Sequence, residues 1–401
     1  MDFSAAIIGA GPIGVELALA LHKLKRFSII HIFEKAQSVG GHIDAWKFVR
    51  LFSPWRMNVS ELGTSTVEST FGCSFQKDEI PTGDDYLRDY LKPLAEFLKQ
   101  QTEIVFHFNT AVMGIAKCGY LKGDDVNGLC RKNDLFRIVD NDEQSFHANV
   151  VFDCSGLYSV NNRKCLGSGG LPAKGEKILY QNANVHYLIE DILGEKRSQY
   201  SGKNTVVIGS GYSAITMVQS LLNLKSEDSS TQITWITRKS RNAYERYEND
   251  PLKERDSLSK FGNTIMSGNH KSINHIGGYS GIRQFGSESM EKISFQLEHN
   301  DVWISCDNLC VAIGYLPNTK LYQELHVKNC WATDGLHSIA QLIHNSNCLT
   351  QSHPSRTSLL TTEPMFFVLG SKSYGRRSSF LLSIGLQQIE EISRYFSGNI
   401  D

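Results

Sequence analysis

The sequence predicts an α/β fold with two Rossmann-like dinucleotide-binding units, and three observations carry that prediction. A glycine turn, Gly9-Ala10-Gly11-Pro12-Ile13-Gly14, follows an apolar strand and precedes a Leu/Ala-rich helical run. A second turn, Gly209-Ser210-Gly211-Tyr212-Ser213-Ala214, stands 200 residues later in the same setting. Each helical run then leads into another short apolar strand, completing a βαβ unit.

The elements follow in order. Ala5–Ile8 reads as a buried strand, Gly14 to Lys25 as a helix, and Phe27–Phe33 as the next strand, ending in Glu34. Residues 84–100 have helical period, with a kink expected at Pro93. Ile104–Phe108 is a strand, and the region from Met113 to Asp153 holds further strands, the last running into Cys154-Ser155-Gly156. Composition loosens at Gly167-Ser168-Gly169-Gly170, as in a linker. The second unit comprises strand Thr205–Ile208, helix Ala214–Leu224 and strand Gln232–Ile236. Residues 267–286, rich in Gly, Ser, His and Asn, read as a long loop. Val311–Asn318 reads as a strand ending in a Gly/Pro turn, Met365–Leu369 as the last strand, and residues 380–395 as the last helix.

Composition narrows the function. A chain of 401 residues accommodates two or three domains, and 41% apolar with 21% charged residues is ordinary for a globular protein. Net charge is −1 with no dense basic run, which argues against a nucleic-acid or anionic-membrane surface and for a small-molecule partner. Nine cysteines lack the spacing of a disulfide framework, and Cys306 and Cys310, in a strand-like stretch, read as buried thiols. The expected setting is reduced and cytoplasmic. No apolar stretch approaches the roughly 18 residues of a membrane span, and Ala5–Ile8 lacks the basic flank of a secretory leader. No metal site is expected, because His270 and His275 lie in a Gly/Ser stretch without paired cysteines.

The chemistry of the two turns differs. In the first, Gly9 permits the tight turn, Gly11 lets backbone approach a diphosphate, and Gly14 lets the helix pack on the strand. Backbone N–H groups and the positive helix end then hold the diphosphate. Glu34, 20 residues after Gly14, is placed to bond ribose hydroxyls. In the second, Ala214 replaces the third glycine, and the strand ends in Arg238 and Lys239 with Arg241 close by. A carboxylate there would repel a 2′-phosphate, whereas a guanidinium grips it, so this site reads as NADP rather than NAD. Two unequal dinucleotides suit hydride transfer from a nicotinamide to a flavin.

These residues resemble the flavin-containing monooxygenase branch of the two-dinucleotide-binding-domain flavoproteins, over most of the chain. Phe33-Glu34-Lys35 followed by Gly40-Gly41 is similar to the family's ribose-binding acid and the glycine pair beside the flavin. Arg56-Met57-Asn58 resembles the segment whose asparagine faces the isoalloxazine ring, which makes Asn58 the candidate catalytic residue. Val151–Gly156 and Val311–Asn318, with Gly314, resemble the two crossovers between domains. Gly370–Gly375 resembles the C-terminal segment that approaches the flavin, so Lys372, Ser373 and Tyr374 join the cofactor candidates. Cofactor candidates elsewhere are Pro12, Ile13, Lys35, Gly41, Arg56, Tyr212 and Ser213; Ser53, Trp55 and Arg56 are candidates for the flavin or substrate face. The resemblance implies an FAD-binding domain of residues 1–165 plus 320–401, with an NADPH-binding domain of residues 166–319 inserted into it and the active cleft between them.

The resemblance implies an NADPH-dependent monooxygenase that oxygenates an amine or sulfur of a small molecule with molecular oxygen, through a flavin C4a-hydroperoxide. One departure matters. In the family fingerprint FxGxxxHxxx(F/W/Y), the counterpart Tyr180–His186 keeps the aromatic and the His, but Asn182 replaces the glycine and Glu190 the trailing aromatic. His186 is either a remnant of that motif or an ordinary interdomain histidine. An NADPH-dependent flavin reductase or dehydrogenase without oxygen insertion is therefore the second reading, and a flavin-binding redox sensor the third. A disulfide reductase fits less well, because no paired cysteine motif accompanies the turns.

Overall fold

The computed structural model describes residues 3–126, 130–268, 270–286, 292–343 and 354–398. The first unit begins with β1 (Ser4–Ile8), α1 (Pro12–Leu24) and β2 (Ile29–Phe33). Helices α2 (Glu61–Phe71) and α3 (Lys92–Lys99) precede β3 (Ile104–His107). An antiparallel meander, β4 (Val112–Lys117), β5 (Phe136–Asp140) and β6 (Ser145–Ala148), leads to β7 (Val150–Asp153). Next come β8 (Val185–His186), β9 (Asn204–Ile208), α4 (Tyr212–Glu227), β10 (Gln232–Ile236), α5 (Lys253–Met266) and β11 (Asn274–Ile276). A second meander, β12 (Ile282–Phe285), β13 (Ile293–Leu297) and β14 (Trp303–Cys306), is followed by β15 (Asn308–Val311). The chain closes with β16 (Phe366–Val368) and α6 (Leu382–Ser397).

Two compact units result, residues 1–162 with 315–401 and residues 163–314. Their central sheets are topological copies. The first runs β16-β7-β1-β2-β3 and the second β8-β15-β9-β10-β11, with every pairing parallel. In each, the strand bearing the glycine turn sits at the centre. Ile8 pairs with Phe33 and Ile208 with Ile236, so both turns emerge at the carboxyl ends of their sheets. That edge is where open parallel sheets bind ligands. Strands β1, β7, β9 and β15 are buried almost throughout, which is why they read as unbroken apolar runs.

The structure departs from the sequence reading in four places. The expected helix over 84–100 is broken into a turn at Gly83–Asp85, a π-helix over Tyr86–Leu91, and α3, with Pro93 at its second residue. Proline in a helix removes a donor and crowds the preceding turn, and the wider π-turn accommodates it. The expected loop over 267–286, of which residue 269 lies outside the described residues, contains β11 and β12. Strands of three and four residues with polar side chains give too short an alternation to be recognised. Of the run expected to be a strand from Val311, only Val311 itself lies in a strand, as the last residue of β15. Cys306 and Cys310 fall on different strands, β14 and β15, and both are buried.

Candidate functional site

In the first unit the glycines are placed by sterics. Gly9 adopts φ +102°, and a Cβ there would lie 2.8 Å from the Cys154 carbonyl oxygen. A Cβ on Gly14 would lie 1.9 Å from the Gly9 carbonyl oxygen, so the close seating of α1 on β1 demands glycine. Gly11 is different: a Cβ would meet nothing within 4 Å. It caps α1 without any side-chain acceptor, and Pro12 begins the helix with no N–H to satisfy. The Ile13 and Gly14 amides thus have no hydrogen-bond acceptor among the described residues, at the positive end of a 13-residue helix. The Ile13 side chain turns away to pack on Gly370 and Gly385.

Glu34, 9% exposed, accepts from the Ala10 amide at Oε2 (2.8 Å) and the Ala36 amide at Oε1 (2.9 Å). Each carboxylate oxygen keeps a further lone pair, so the acid is oriented yet still able to accept from hydroxyls. Lys35 is exposed and donates to the Tyr158 carbonyl (3.2 Å). Gly41 is packed so tightly that a Cβ would sit 2.4 Å from that of Ala36. Beside it, the His42 ring stacks on Tyr158 at 3.7 Å, and burial pushes the imidazole down to about 4.

Two groups of candidates are corrected. Asn58, assigned to the flavin face, is 1% exposed and its amide is fully engaged. Nδ2 donates to the Ser53 carbonyl (2.8 Å) and the Pro54 carbonyl (3.1 Å), while Oδ1 accepts from Ser53 Oγ (2.6 Å). Both amide protons are used, so the side chain closes the 53–58 turn rather than offering a donor outward. Trp55 packs against Phe75 with ring centroids 4.9 Å apart, and Arg56 pairs with Asp78. Likewise Lys372, Ser373 and Tyr374 face inward. Lys372 Nζ lies 2.5 Å from Asp153 Oδ2, both side chains wholly buried, and donates to Ser155 Oγ (3.0 Å). Ser373 Oγ donates to the Gly370 carbonyl (2.7 Å) and accepts from Gln388 (3.0 Å). Tyr374 is buried, which raises its hydroxyl to about 12. None of these three side chains is therefore turned toward a ligand.

Sequence reading missed Glu16, Asp153, Ser155 and Gln388. Glu16 stands on α1, 2% exposed, and accepts from Tyr90 Oη and the Ser60 amide (3.1 Å), with Ser60 Oγ 2.7 Å away. Burial raises its carboxyl, against the opposing pull of the Tyr90 and Ser60 hydrogen bonds. The available signal was an isolated acid in the otherwise apolar run Ile13–Leu21.

The second unit repeats the first turn's geometry. Gly209 has φ +133°, and its Cβ would lie 2.3 Å from the Ala312 carbonyl oxygen; Gly211 again faces open space and caps α4 without a side chain. The Gly209 carbonyl accepts from Trp235 Nε1 (2.8 Å). Tyr212 Oη lies 2.9 Å from Ser259 Oγ, Ser213 is exposed, and Ala214 is buried. Arg238 and Lys239 are exposed at the end of β10 and form no ion pair among the described residues. Gly314 has φ +86°. His186 Nδ1 lies 3.5 Å from Glu190 and Nε2 3.1 Å from Gln199 Nε2. The residue standing where the fingerprint has an aromatic is therefore the one the histidine's Nδ1 faces.

Among the described residues no His/Cys/Asp/Glu group fits a metal, and no helix is long and apolar enough to cross a membrane. The chain matches no protein-family model. It is 28% identical over 221 residues, 54% of its length, to a probable FAD-binding monooxygenase AlmA from Acinetobacter sp., of which the match covers 38%. Among solved structures it aligns over 100% of both chains with the bacillithiol disulfide reductase of Staphylococcus aureus (TM-score 0.66, 14% identity). It aligns over 98% of both chains with a flavin-containing monooxygenase from Stenotrophomonas maltophilia (TM-score 0.61, 14% identity). The fold is thus that of two-dinucleotide-binding-domain flavoproteins.

Proposed function

We propose that this protein is an FAD- and NADPH-dependent oxidoreductase that works as a monooxygenase on a soft nucleophile, an amine or sulfur, of a small molecule. The single observation that carries the reading is the pair of turns with equal glycine geometry and unequal strand ends, Glu34 in one and Arg238 with Lys239 in the other. Bound flavin would supply the two-electron chemistry, taking hydride from NADPH and reacting, once reduced, with oxygen.

The chain's own residues bind and orient. The Ile13 and Gly14 amides would take the FAD diphosphate, and Glu34, held by two backbone amides, the ribose hydroxyls. At the second turn the amides beyond Gly211 would take the NADPH diphosphate, and Arg238 with Lys239 the 2′-phosphate. Asn58 holds the 53–58 turn in shape, and the Lys372–Asp153 pair ties the C-terminal turn to the end of β7.

The second reading, a reductase without oxygen insertion, is favoured by the His186–Glu190 pair in place of the monooxygenase fingerprint. Disulfide reduction is disfavoured. Cys154, the cysteine beside the first turn, is buried, and burial drives its thiol well above the ordinary range, away from a reactive thiolate.

Anaerobic reduction with NADPH followed by mixing with oxygen separates the readings. Monooxygenation requires a flavin spectrum distinct from the oxidised and reduced forms that persists for seconds. Direct return to oxidised flavin with stoichiometric hydrogen peroxide overturns it and leaves the reductase. Failure of NADPH to reduce the flavin leaves the redox sensor.

A further inference from the structure

We infer that the segment Asn274–Tyr279 is a brace that holds the Arg238–Lys239 loop in the pose that receives a 2′-phosphate, with Thr237, His275 and Gly277 as its positioning residues. The inference rests on the NADPH reading above and adds to it the residues that set the choice between NADPH and NADH.

Thr237, wholly buried, is fixed at four points. Its amide donates to the Ile276 carbonyl (3.0 Å) and its carbonyl accepts from the Tyr279 amide (3.1 Å). Its hydroxyl donates to the Lys239 carbonyl (2.6 Å) and lies 2.9 Å from His275 Nε2. A hydroxyl has one proton, and here it goes to Lys239; His275 must therefore be the donor, as the Nε2-protonated tautomer. The His275 ring is in turn held against Trp235, with centroids 5.3 Å apart.

Gly277 closes the brace from the other side. A Cβ on it would lie 2.6 Å from Ser240 Cα and 3.1 Å from His275 Cε1. Its backbone has no positive φ, so glycine is required here by close approach of two chains and not by conformation. Ser240 Cα is main chain and cannot swing aside.

The result is a loop whose backbone is clamped at residues 237 and 240 while the side chains between, Arg238 and Lys239, are exposed. A clamped backbone carrying uncommitted cations is a preorganised anion site, because less freedom is lost when the anion arrives. A ribose that ends in a 2′-hydroxyl would gain nothing from it. The stretch that read as a long loop therefore has a positioning part.

The test compares binding of 2′,5′-ADP with that of ADP to the full-length protein by calorimetry. Gly277→Ala should weaken 2′,5′-ADP by roughly tenfold and leave ADP within about twofold. Thr237→Val, which deletes both hydroxyl bonds, should act the same way, and Thr237→Ser should restore binding. Should Thr237→Val fail to fold, Gly277→Ala at an exposed turn still decides the matter. Equal weakening of both ligands, or no weakening in Gly277→Ala, overturns the brace. A wild-type protein that does not prefer 2′,5′-ADP overturns instead the NADPH reading beneath it.

Discussion

The two nucleotide units share a skeleton and differ in what stands at its edges. Both place a positive-φ glycine against the backbone of the neighbouring strand, Gly9 on Cys154 and Gly209 on Ala312. Both leave the second glycine facing open space, and both arrange five parallel strands in the same order. They part at the third glycine position, Gly14 against Ala214, and at the end of the second strand, an oriented carboxylate against exposed cations. On the function proposed above, the shared part would hold a dinucleotide and the differing part would set which one. The first unit is also locked by a wholly buried Lys372–Asp153 pair, while the second positions its cations through a hydrogen-bonded loop.

The comparison breaks most sharply at that buried pair. Lys372→Met leaves Asp153 without its cation and should cost about 3–5 kcal/mol. Urea unfolding should show the loss as a lower midpoint; an unchanged midpoint would contradict the anchoring role of the pair. Next comes the third glycine. Gly14→Ala forces a methyl onto the Gly9 carbonyl and should cost about 1–3 kcal/mol with loss of bound flavin. Ala214→Gly should cost no more than about 1 kcal/mol, the helix-propensity difference, and leave NADPH binding intact. Equal effects at the two positions would show that the helices seat alike.

The smallest effect is a pH slope confined to the first unit. Burial raises the Glu16 carboxyl above its ordinary value of 4.5, so the folded unit retains a proton that the unfolded chain releases. The corresponding stability is fully present below about pH 4.5 and is lost as pH rises through the raised value, by at most about 1.4 kcal/mol per pH unit. Glu16→Gln, neutral at every pH, should flatten the slope while preserving the contacts to Ser60 and Tyr90. A slope unchanged in Glu16→Gln would place its origin elsewhere.

What the sequence disclosed follows from distance along the chain. The placement of the glycine turns, and of Glu34 and Arg238 just past their strands, was legible because each is set by spacing within a single βαβ unit of about thirty residues. The fate of Asn58 was not: its amide is consumed by Ser53 and Pro54 in a turn that no periodicity marks. Lys372 meets Asp153 across 219 positions and Glu16 meets Tyr90 across 74, and a single sequence carries no record of such pairings. The brace strand β11 escaped because three residues cannot display an alternation.

The central claim is that the two turns hold different dinucleotides, FAD beside Glu34 and NADPH beside Arg238. Equilibrium titration of the flavin-loaded protein with NADPH and with NADH, in wild type and Arg238→Ala, tests it most directly. A preference for NADPH of roughly tenfold or more is expected in wild type, from charge-assisted bonds worth about 1.5–3 kcal/mol each. In Arg238→Ala that preference should collapse with flavin content unchanged. Equal affinity for the two nucleotides in the wild type, or loss of flavin in the variant, would contradict the assignment.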